Sequence, residues 1–553
     1  MKHKLILILI IFVAVLLRII NLNWDLDQHL HPDERFLTMT VNKIKIPNNL
    51  ADYLNPNEST LNPYNNETLF YVYGTFPLTL AKIVAVKLNM DNYNDFTILG
   101  RFLSGLFDIG LLIFLYKITQ LFENQYRFDK KIKLLVTFFY SIAVLPIQHS
   151  HFYVVDNFLN FFFISGLYFI IKFSYKRKLL DLVLSSFLFG LALGSKLSAL
   201  YTLPLFIFFI IQGRKFTKPI LKIIALIGIF FLIGYLTLRV ADPKFFEDNN
   251  FLNFKINPIF IENIKSLDSQ YSDGSWFPPA IQWISKSKIL FAGYNIIFFG
   301  LGMPYGILSL MGMYFLFQKY RKLEFKFIIV WSIIFFLYQS MQFISTMRYF
   351  IFLYPLLAFF AAFGFQSILG LIKNKNLRRR AAIFLIIGIL IWPICFIRIY
   401  LKENSRITAS RWIYANIPEN SYLAEEQWDD WLPLYVKDVV SRNYRGEQIP
   451  ITGQDTEEKW QIIQDKLNQA DYYITTSNRA YGSMMPLPKM FTKTAKFYEQ
   501  LFDDEGQFKK IIEFHSYPGI DLPFFKLEFN DQMADEAFSV YDHARVIIFK
   551  KIR

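Results

Sequence analysis

Long apolar stretches recur through most of this chain, and they restrict its fold more than any other feature. They extend from residue 5 to residue 399 and are separated by short polar connections that carry clusters of Lys and Arg. Of the 553 residues, 54% are hydrophobic and 18% are aromatic, which is more apolar side chain than the core of one soluble domain buries. The excess is expected to face lipid, so the sequence predicts a multi-span helical membrane protein.

Eleven stretches are candidate spans, since a helix of about 20 mainly apolar residues crosses a bilayer. They lie near residues 4–20, 97–118, 133–147, 155–172, 179–194, 198–211, 221–239, 288–317, 327–344, 349–372 and 381–400. The stretch at 76–88 is apolar but short and carries Lys82 and Lys87. There we expect an interfacial helix that lies along the membrane surface.

The basic residues predict the orientation of the spans, because short connections retained in the cytoplasm accumulate Lys and Arg. Alternate connections contain such clusters, at 117–133, 172–178, 214–222, 319–326 and 373–380. The connections between them, near 148–155, 194–197 and 345–348, contain only Lys196 and Arg348. This pattern predicts a cytoplasmic N-terminus, an extracytoplasmic C-terminal region, and long outer loops at 21–96 and 240–287.

The apolar stretches end near Lys402, where the composition changes to an ordinary soluble mixture. Amphipathic segments such as 456–468 alternate with short β-rich runs at 472–476 and 546–549, a pattern typical of a small α/β domain. We therefore expect a transmembrane domain over 1–402 and a soluble extracytoplasmic α/β domain over 403–553. An acidic run with Trp428 and Trp431 could receive a carbohydrate, although a solvated turn is the simpler interpretation.

The net charge of +14 does not indicate a nucleic-acid partner, because the basic residues lie between apolar stretches rather than in one stripe. The partner that the composition indicates is membrane lipid. The single cysteine, Cys395, lies in the last apolar stretch. One cysteine excludes a disulfide framework within the chain and a metal site built from several cysteines.

A first titratable cluster follows the first apolar stretch. Asp33 and Glu34 are adjacent, His31 and Arg35 flank them, and Pro32 restricts the turn. Carboxylates held near a low-dielectric surface tend to have raised pKa values, which suits a general base. The alternative is a solvated loop in which Asp33 caps the following helix.

A second cluster, at the end of one span and the start of the next, contains His149, His151 and Asp156. It could bind a metal, a phosphate or a sugar hydroxyl. Two His residues separated by one position are weak as a metal-binding pattern, and Asp156 could simply cap the helix that follows it. A structural role for the cluster is the favoured interpretation on residue types alone.

Three basic residues lie at predicted outer ends of spans, where the positive-inside tendency disfavours them: Lys196, Arg101 and Arg348. A cation at the interface is stabilised by an anionic partner, and the phosphate of a lipid is one such partner. The alternative is snorkelling of the side chain to the membrane surface. All three are candidates for binding phosphate.

Several motifs occur in a particular order along the chain. They are His-Pro-Asp-Glu at 31–34, Tyr-Val-Tyr-Gly-Thr-Phe-Pro at 71–77, Gly-Arg-Phe-Leu-Ser at 100–104, Gln-His-Ser-His at 148–151, Asp-Asn-Phe-Leu at 156–159, Gly-Ser-Lys-Leu-Ser-Ala at 194–199 and Met-Arg-Tyr-Phe at 347–350. In this order they resemble the GT-C glycosyltransferases of the protein mannosyltransferase and aminoarabinose transferase type. The tail, with Glu-Gln-Trp-Asp at 426–429 and Val-Tyr-Asp-His at 540–543, is similar to bacterial phospholipid-carrier-dependent glycosyltransferases.

The resemblance implies a plasma-membrane enzyme that transfers a sugar, with inversion, from a polyprenyl-phosphate donor to an acceptor hydroxyl at the outer face. It implies that Asp33 is the base that deprotonates the acceptor and that Glu34 orients it or binds the sugar. The acceptor could be a protein, a lipid or a glycan. The chain lacks a nucleotide-binding glycine fingerprint, which is consistent with a lipid-linked donor.

The other matched positions are expected to bind substrate. Cations would neutralise the phosphate leaving group, and the second cluster would lie near the donor. The full set of expected substrate-binding residues is His31, Arg101, His149, His151, Asp156, Lys196 and Arg348. Some GT-C enzymes hold a divalent metal ion and others do not, so a metal stays open.

A transporter or flippase for lipid-linked sugars or polar solutes is the competing class. Such a protein is expected to carry ionisable residues deep inside its spans, or paired Gly- or Pro-broken helices at mid-membrane. In this sequence the charges are expected at the ends of the spans. That distribution favours chemistry at an interface.

Overall fold

The computed structural model describes residues 2–212, 220–272 and 276–552. Helices dominate the described chain as far as Asn416, and strands alternate with helices after it. Most of the predicted basic cluster at 214–222 lies outside the described ranges, because residues 213–219 are not described.

The helices have the following bounds. They are α1 Lys2–Ile19, α2 Pro32–Lys43, α3 Leu50–Leu54, α4 Phe76–Leu88, α5 Tyr93–Tyr126, α6 Ile132–Ser141, α7 Val144–Ser150, α8 Val155–Lys176, α9 Leu179–Leu193, α10 Leu203–Ile211, α11 Ile220–Ala241, α12 Pro258–Gln270, α13 Pro278–Ile281, α14 Lys288–Tyr294, α15 Met303–Lys319, α16 Leu323–Met341, α17 Leu353–Leu371, α18 Lys375–Leu401, α19 Ser405–Asn416, α20 Glu457–Gln469, α21 Arg479–Met484, α22 Thr492–Phe502 and α23 Glu536–Ser539.

The helical part confirms a membrane protein. Within the described residues, six helical segments are long and apolar enough to cross a membrane: α5, α8, α11, α16, α17 and the segment that begins with α18. Two bent pairs bring the number to eight if each is one span: α6 with α7, at 54°, and the helix that continues α14 to Gly300 with α15, at 118°. The predicted number of eleven spans is not confirmed.

The largest departure from the predicted spans is at 288–317. Gly302 separates two helices there and has φ +88°, a left-handed conformation that glycine adopts without strain. The chain therefore turns sharply where the hydropathy pattern alone indicated one continuous helix. The helix α4 has the bounds that the sequence predicted for the interfacial segment.

Close backbone contact joins α15 and α17. A Cβ atom added at Gly312 would overlap the Phe360 carbonyl oxygen, and one added at Gly364 would overlap the Leu308 carbonyl oxygen. Small residues of this kind let two helices approach closely in a membrane, where packing rather than apolar burial drives their association. The two helices are therefore packed closely along the stretch that contains Gly312 and Gly364.

The C-terminal region contains seven strands among its described residues: β1 Tyr422–Glu426, β2 Arg445–Ile449, β3 Tyr472–Thr475, β4 Phe508–Phe514, β5 Gly519–Leu522, β6 Phe525–Glu528 and β7 Val546–Lys551. Five form one sheet in the order β2-β1-β3-β7-β4, and β5 with β6 forms a hairpin. The β1 strand runs parallel to β2 and β3, whereas β7 is antiparallel to β3 and β4. The sheet and its helices confirm the predicted α/β character of this region.

Residues 531–543, the docking segment, precede β7 and contact the helical part of the chain. The Asp535 carboxylate accepts a hydrogen bond from the Met347 N–H at 2.8 Å. The Gln148 amide donates a hydrogen bond to the Asp542 carboxylate at 3.0 Å. The C-terminal region is thus attached beside two of the motifs in which the sequence predicts site residues.

Candidate active site

The helix α2 begins at the candidate site. His31 is its N-cap, and the His31 Nδ1 accepts a hydrogen bond from the Glu34 N–H at 3.3 Å. Pro32 occupies the first helical position, where its missing N–H costs nothing. The alternative in which Asp33 is the cap is therefore wrong, and the Asp33 side chain is left available at the start of the helix.

Asp33 forms an ion pair with Arg348, which lies in the 3-10 turn Met347–Phe350 before α17. The two side chains are 29% and 23% exposed, so the pair is accessible from one side. Burial alone would raise the pKa of Asp33, but Arg348, His31 and Lys196 together outweigh it, with Arg348 the largest of these effects, and the pKa is lowered to about 2. The expectation of a raised pKa at Asp33 is wrong.

A second ion pair joins Lys196 and Asp156, with 2.8 Å between Nζ and the carboxylate oxygen. Asp156 lies in the first turn of α8 and is buried, but it does not cap the helix, since the N-cap is Val154. The positive charge of Lys196 also contributes to the low pKa of Asp33. The two pairs therefore form one group of four charges.

Aromatic rings border this four-charge group. The Lys196 Nζ lies 5.3 Å from the ring centre of Tyr349 and 6.0 Å from that of Tyr73. The guanidinium carbon of Arg348 lies 5.5 Å from the same Tyr349 ring. Both cations are thus held against aromatic faces. Sequence reasoning missed these two tyrosines, although each stands inside a motif that it quoted.

Two histidines lie beside the charges. His31 is buried between the rings of Phe152, at 4.4 Å, and Tyr541, at 4.5 Å. Burial is the main reason that the pKa of His31 is lowered to about 3, so this imidazole is neutral at physiological pH. His149 is also buried, and its Nδ1 makes no hydrogen bond to any described residue.

Glu34 and Arg101 lie behind Asp33, and both are fully buried. Arg101 donates hydrogen bonds to the Glu34 carboxylate at 2.5 and 2.9 Å, to Asp25 at 2.8 and 3.0 Å, and to the Leu22 carbonyl oxygen at 2.6 Å. The Tyr153 N–H donates a further hydrogen bond to Glu34 at 2.7 Å. Because its donors point at these groups, Arg101 faces the protein interior.

His151 lies apart from the four charges. Its ring stacks on Tyr400 with 3.6 Å between centroids and 6° between planes. Its two ring nitrogens lie 2.9 and 3.0 Å from the carbonyl oxygens of Ile147 and Ile20. These contacts hold the chain after α7 against the residue that follows α1.

Two concave surfaces are formed by segments that also carry site residues or directly follow them. A cavity of about 380 Å³ lies between the start of α2 and the turn after β1. An open apolar groove of about 520 Å³ is lined by Leu200, Leu203, Pro204, Ile207, Phe208, Ile211 and Phe327. The groove begins in the 3-10 turn Leu197–Thr202, directly after Lys196.

The carboxylates at the site do not fit a divalent metal ion. Asp33 is already in contact with Arg348, and Asp156 with Lys196. Among residues 2–212, 220–272 and 276–552, no group of three or more His, Cys, Asp or Glu side chains is arranged to hold a metal. We therefore assign no step to a metal.

The arrangement of the helices and the C-terminal sheet is similar to the fold of solved oligosaccharyltransferase structures, which have the GT-C fold. A structure of the oligosaccharyltransferase AglB from Archaeoglobus fulgidus, in complex with an inhibitory peptide and a dolichol-phosphate, has a TM-score of 0.53 at 12% identity, covering 97% of this chain and 77% of that one. An oligosaccharyltransferase structure from the same organism, with Zn and sulfate, has a TM-score of 0.50 at 14% identity, covering 89% and 71%. ArnT from Cupriavidus metallidurans, bound to undecaprenyl phosphate, has a TM-score of 0.44 at 13% identity, covering 87% and 94%.

The sequence also matches one family in particular. Residues 94–236 match the family model of the dolichyl-phosphate-mannose-protein mannosyltransferases. The matched stretch contains Arg101, His149, Asp156 and Lys196. No curated protein sequence matches the chain. The resemblance to GT-C glycosyltransferases that the motifs indicated is confirmed.

Proposed function

We propose that this protein is a membrane glycosyltransferase that moves a sugar from a polyprenyl-phosphate donor to an acceptor hydroxyl. The observation that supports it most strongly is the position of Asp33. This partly exposed carboxylate lies beside two cations, Arg348 and Lys196, and the 3-10 turn that follows Lys196 contributes Leu200 to the lining of an apolar groove. A base, a phosphate site and a lipid-facing groove are the three parts that such a transfer requires.

The donor would lie with its phosphate on Lys196 and Arg348 and its prenyl chain in the groove. The guanidinium of Arg348 can bind phosphate oxygens bidentately, and Lys196 supplies a compact positive charge. The groove is lined by aliphatic and aromatic side chains on α10 and α16, which suits an isoprenoid chain. Asp156 holds Lys196 in place from the protein side, at 2.8 Å.

In the transfer, the acceptor oxygen attacks the anomeric carbon of the donor while Asp33 accepts the hydroxyl proton. The bond between that carbon and the phosphate oxygen breaks, and its electron pair leaves with polyprenyl phosphate. Arg348 and Lys196 neutralise the negative charge that develops on the leaving group. Attack on the face opposite the phosphate gives inversion at the anomeric carbon.

The ion pair with Arg348 gives Asp33 a low pKa in the free protein. A bound donor phosphate would share Arg348 and add negative charge near Asp33. Both effects raise the pKa of a carboxylate. Donor binding would therefore make Asp33 a stronger base when the acceptor hydroxyl is to be deprotonated.

The buried network behind Asp33 positions it. Glu34 is held by Arg101 and by the Tyr153 N–H, and this anchors the first turn of α2 on which Asp33 lies. Glu34 and Arg101 are thus proposed as positioning residues. His149, whose Nδ1 makes no hydrogen bond within the described residues, is proposed to contact the donor sugar, with neutral His31 beside it. His151 has no part in this proposal.

We further propose that the site lies at the outer face of a plasma membrane. In this orientation the N-terminus is cytoplasmic, and residues 403–553 form the extracytoplasmic domain. The loops that carry clusters of Lys and Arg support the orientation, because such loops are retained in the cytoplasm.

The test is release of polyprenyl phosphate from radiolabelled polyprenyl-phosphate sugars by the full-length protein in detergent, with peptide, lipid and glycan hydroxyl compounds supplied as acceptors. Asp33→Asn should lower turnover by about 10²-fold or more, the usual contribution of a general base. Asp91→Asn is the matched control, since Asp91 is an exposed carboxylate in the same predicted outer loop. Equal turnover in wild type and Asp33→Asn would remove Asp33 from the mechanism.

Failure to turn over any donor would favour the competing class, a transporter. One observation bears on that class: Asp108 lies within the long helix α5. Its carboxylate is buried and accepts hydrogen bonds from the Arg18 Nε at 2.6 Å and the Tyr140 hydroxyl at 2.5 Å. A buried carboxylate whose hydrogen bonds go to other helices in this way is suited to holding helices together rather than to binding a transported solute.

A further inference from the structure

The cavity beside Asp33 is built from both parts of the chain. Pro32 and Arg35 line it from the start of α2, residues 427–430 line it from the turn after β1, and Tyr541 lines it from the docking segment. Pro32 directly precedes Asp33, and Tyr541 packs against His31. A molecule in this cavity would approach the proposed base from the side of the sheet.

One guanidinium in the cavity wall is poorly satisfied. Arg406, on α19, is 2% exposed. It donates one hydrogen bond, from Nε to the Thr476 carbonyl oxygen at 3.3 Å. Its Nη1 makes no hydrogen bond within the described residues, and the nearest ion-pair oxygen, on Asp430, is 3.6 Å away. Since a buried Arg normally has its donors paired, a bound polar group is the missing partner.

The charges around the cavity are balanced. Arg479 is paired with Glu536 at 2.6 Å, and Arg35 with Asp430 at 2.6 Å. The second carboxylate of the turn, Asp429, lies 3.3 Å from Arg479. These carboxylates would repel a polyanion, and the arginines would repel a polycation. The lining therefore suits a neutral molecule that both donates and accepts hydrogen bonds.

An exposed indole completes the lining. Trp428 is 50% exposed and adopts φ +79°, a conformation that bulky side chains rarely take and that concentrates at functional sites. Trp431, three positions later, does not line the cavity. An aromatic face beside several hydrogen-bonding groups is suited to a sugar ring, whose C–H face is apolar and whose edge is polar.

We infer that this cavity is the acceptor subsite and that it binds a neutral carbohydrate, with the sugar face on Trp428 and its hydroxyls on Arg406 and the Asp429–Asp430 turn. The inference rests on the proposed function, because it takes Asp33 to be the base. It names a glycan among the acceptor classes that the sequence left open. A hydroxyl of that glycan would reach Asp33 past Pro32.

Binding is tested by saturation-transfer NMR on the full-length protein in detergent. The probes are a panel of methyl hexosides and disaccharides, with a Ser- and Thr-containing peptide for comparison. Trp428→Ala should weaken glycoside binding by about tenfold, and Arg406→Gln by a similar factor. Trp431→Ala and Arg411→Gln are the matched controls: one is the neighbouring tryptophan, and the other is a partly exposed arginine on the same helix that does not line the cavity.

Glycosides that bind wild type and both controls but bind Trp428→Ala weakly support the inference. The inference is overturned if no glycoside binds, if all variants bind equally, or if the peptide alone competes for the cavity. Because Arg406 is buried, the binding result for Arg406→Gln counts only if this variant unfolds at the same temperature as wild type. Trp428 is exposed, so Trp428→Ala provides the decisive comparison.

Release of polyprenyl phosphate, measured in parallel with the same glycosides and peptide supplied as acceptors, separates the two proposals. Donor turnover without glycoside binding overturns only the acceptor inference. Glycoside binding with the expected pattern, but without turnover of any donor, upholds the carbohydrate cavity and overturns the proposed transfer.

Discussion

Replacing Arg348 with Gln should shift the acid limb of the activity profile to higher pH. Asp33 has a pKa of about 2, because Arg348 opposes the effect of burial. Burial stays when Arg348 is removed, whereas the largest opposing charge is lost. The pKa of Asp33 should then rise at least to the ordinary aspartate value of 3.8.

The size of the shift follows from these two values. A rise from about 2 to 3.8 or higher is about two pH units, which corresponds to a change of about 2–3 kcal/mol in the free energy of protonating Asp33. Arg348→Lys should give a smaller shift, because a lysine keeps a positive charge but loses the planar fork.

The assay is kcat/KM for the donor as a function of pH, because this ratio reports the pKa of Asp33 in the protein without bound donor. A base must be ionised, and a carboxyl group with a pKa of about 2 is ionised throughout the range above about pH 4. Wild type should therefore show no loss from Asp33 in that range. Arg348→Gln should lose activity progressively as the pH falls toward its raised pKa, in addition to any lower maximum caused by weaker phosphate binding.

The shape of the profile separates these two effects. A change in phosphate binding alone lowers the whole curve, whereas a change in the pKa of Asp33 moves its acid limb. If Arg348→Gln and Arg348→Lys both reproduce the wild-type limb and differ only in maximum turnover, Arg348 does not control the protonation of Asp33, and the reasoning is refuted.

Two further predictions concern stability. His543 lies between Asp531 and Asp542 at 2.8 and 2.5 Å; although burial opposes its charge, the two carboxylates raise its pKa to about 10. The stabilisation that protonated His543 gives to the folded state is therefore complete below pH 6.5 and is lost as the pH rises through about 10, so the melting temperature of wild type should fall over that interval. His543→Gln should be destabilised by about 3–5 kcal/mol at neutral pH. A melting temperature of wild type that does not change with pH would contradict this prediction. Gly312→Ala should lower the melting temperature, because the added Cβ would overlap the backbone of α17. Gly228→Ala is the control and should leave the melting temperature unchanged, because a Cβ at Gly228 would have no described atom within 4 Å. Equal effects of the two substitutions would show that α15 and α17 do not pack as described.

The sequence predicted the membrane helices, the C-terminal α/β region and the motifs that meet at the site. The sequence could not predict which of two neighbouring residues is buried and which lies at the site. Asp33 is partly exposed, whereas adjacent Glu34 is fully buried against Arg101. His149 lies near the four charges, whereas His151, two positions later, stacks on Tyr400. Residue type is the same or similar within each pair, and only helix phase and packing distinguish them.

Composition and hydropathy by themselves determined that this chain enters a membrane, because apolar surface on this scale requires lipid whatever the details of packing. The tertiary structure alone decided which charges meet. Asp33 and Arg348 are 315 residues apart, and their contact is the largest of the charge effects that together reverse the sign of the pKa shift that burial alone would cause. The sharp turn at Gly302 and the cavity shared between α2 and the sheet are likewise decided by tertiary structure. The physical reason is that hydropathy is a local property of the chain, whereas electrostatic pairing and concave surfaces depend on groups brought together from distant parts of it.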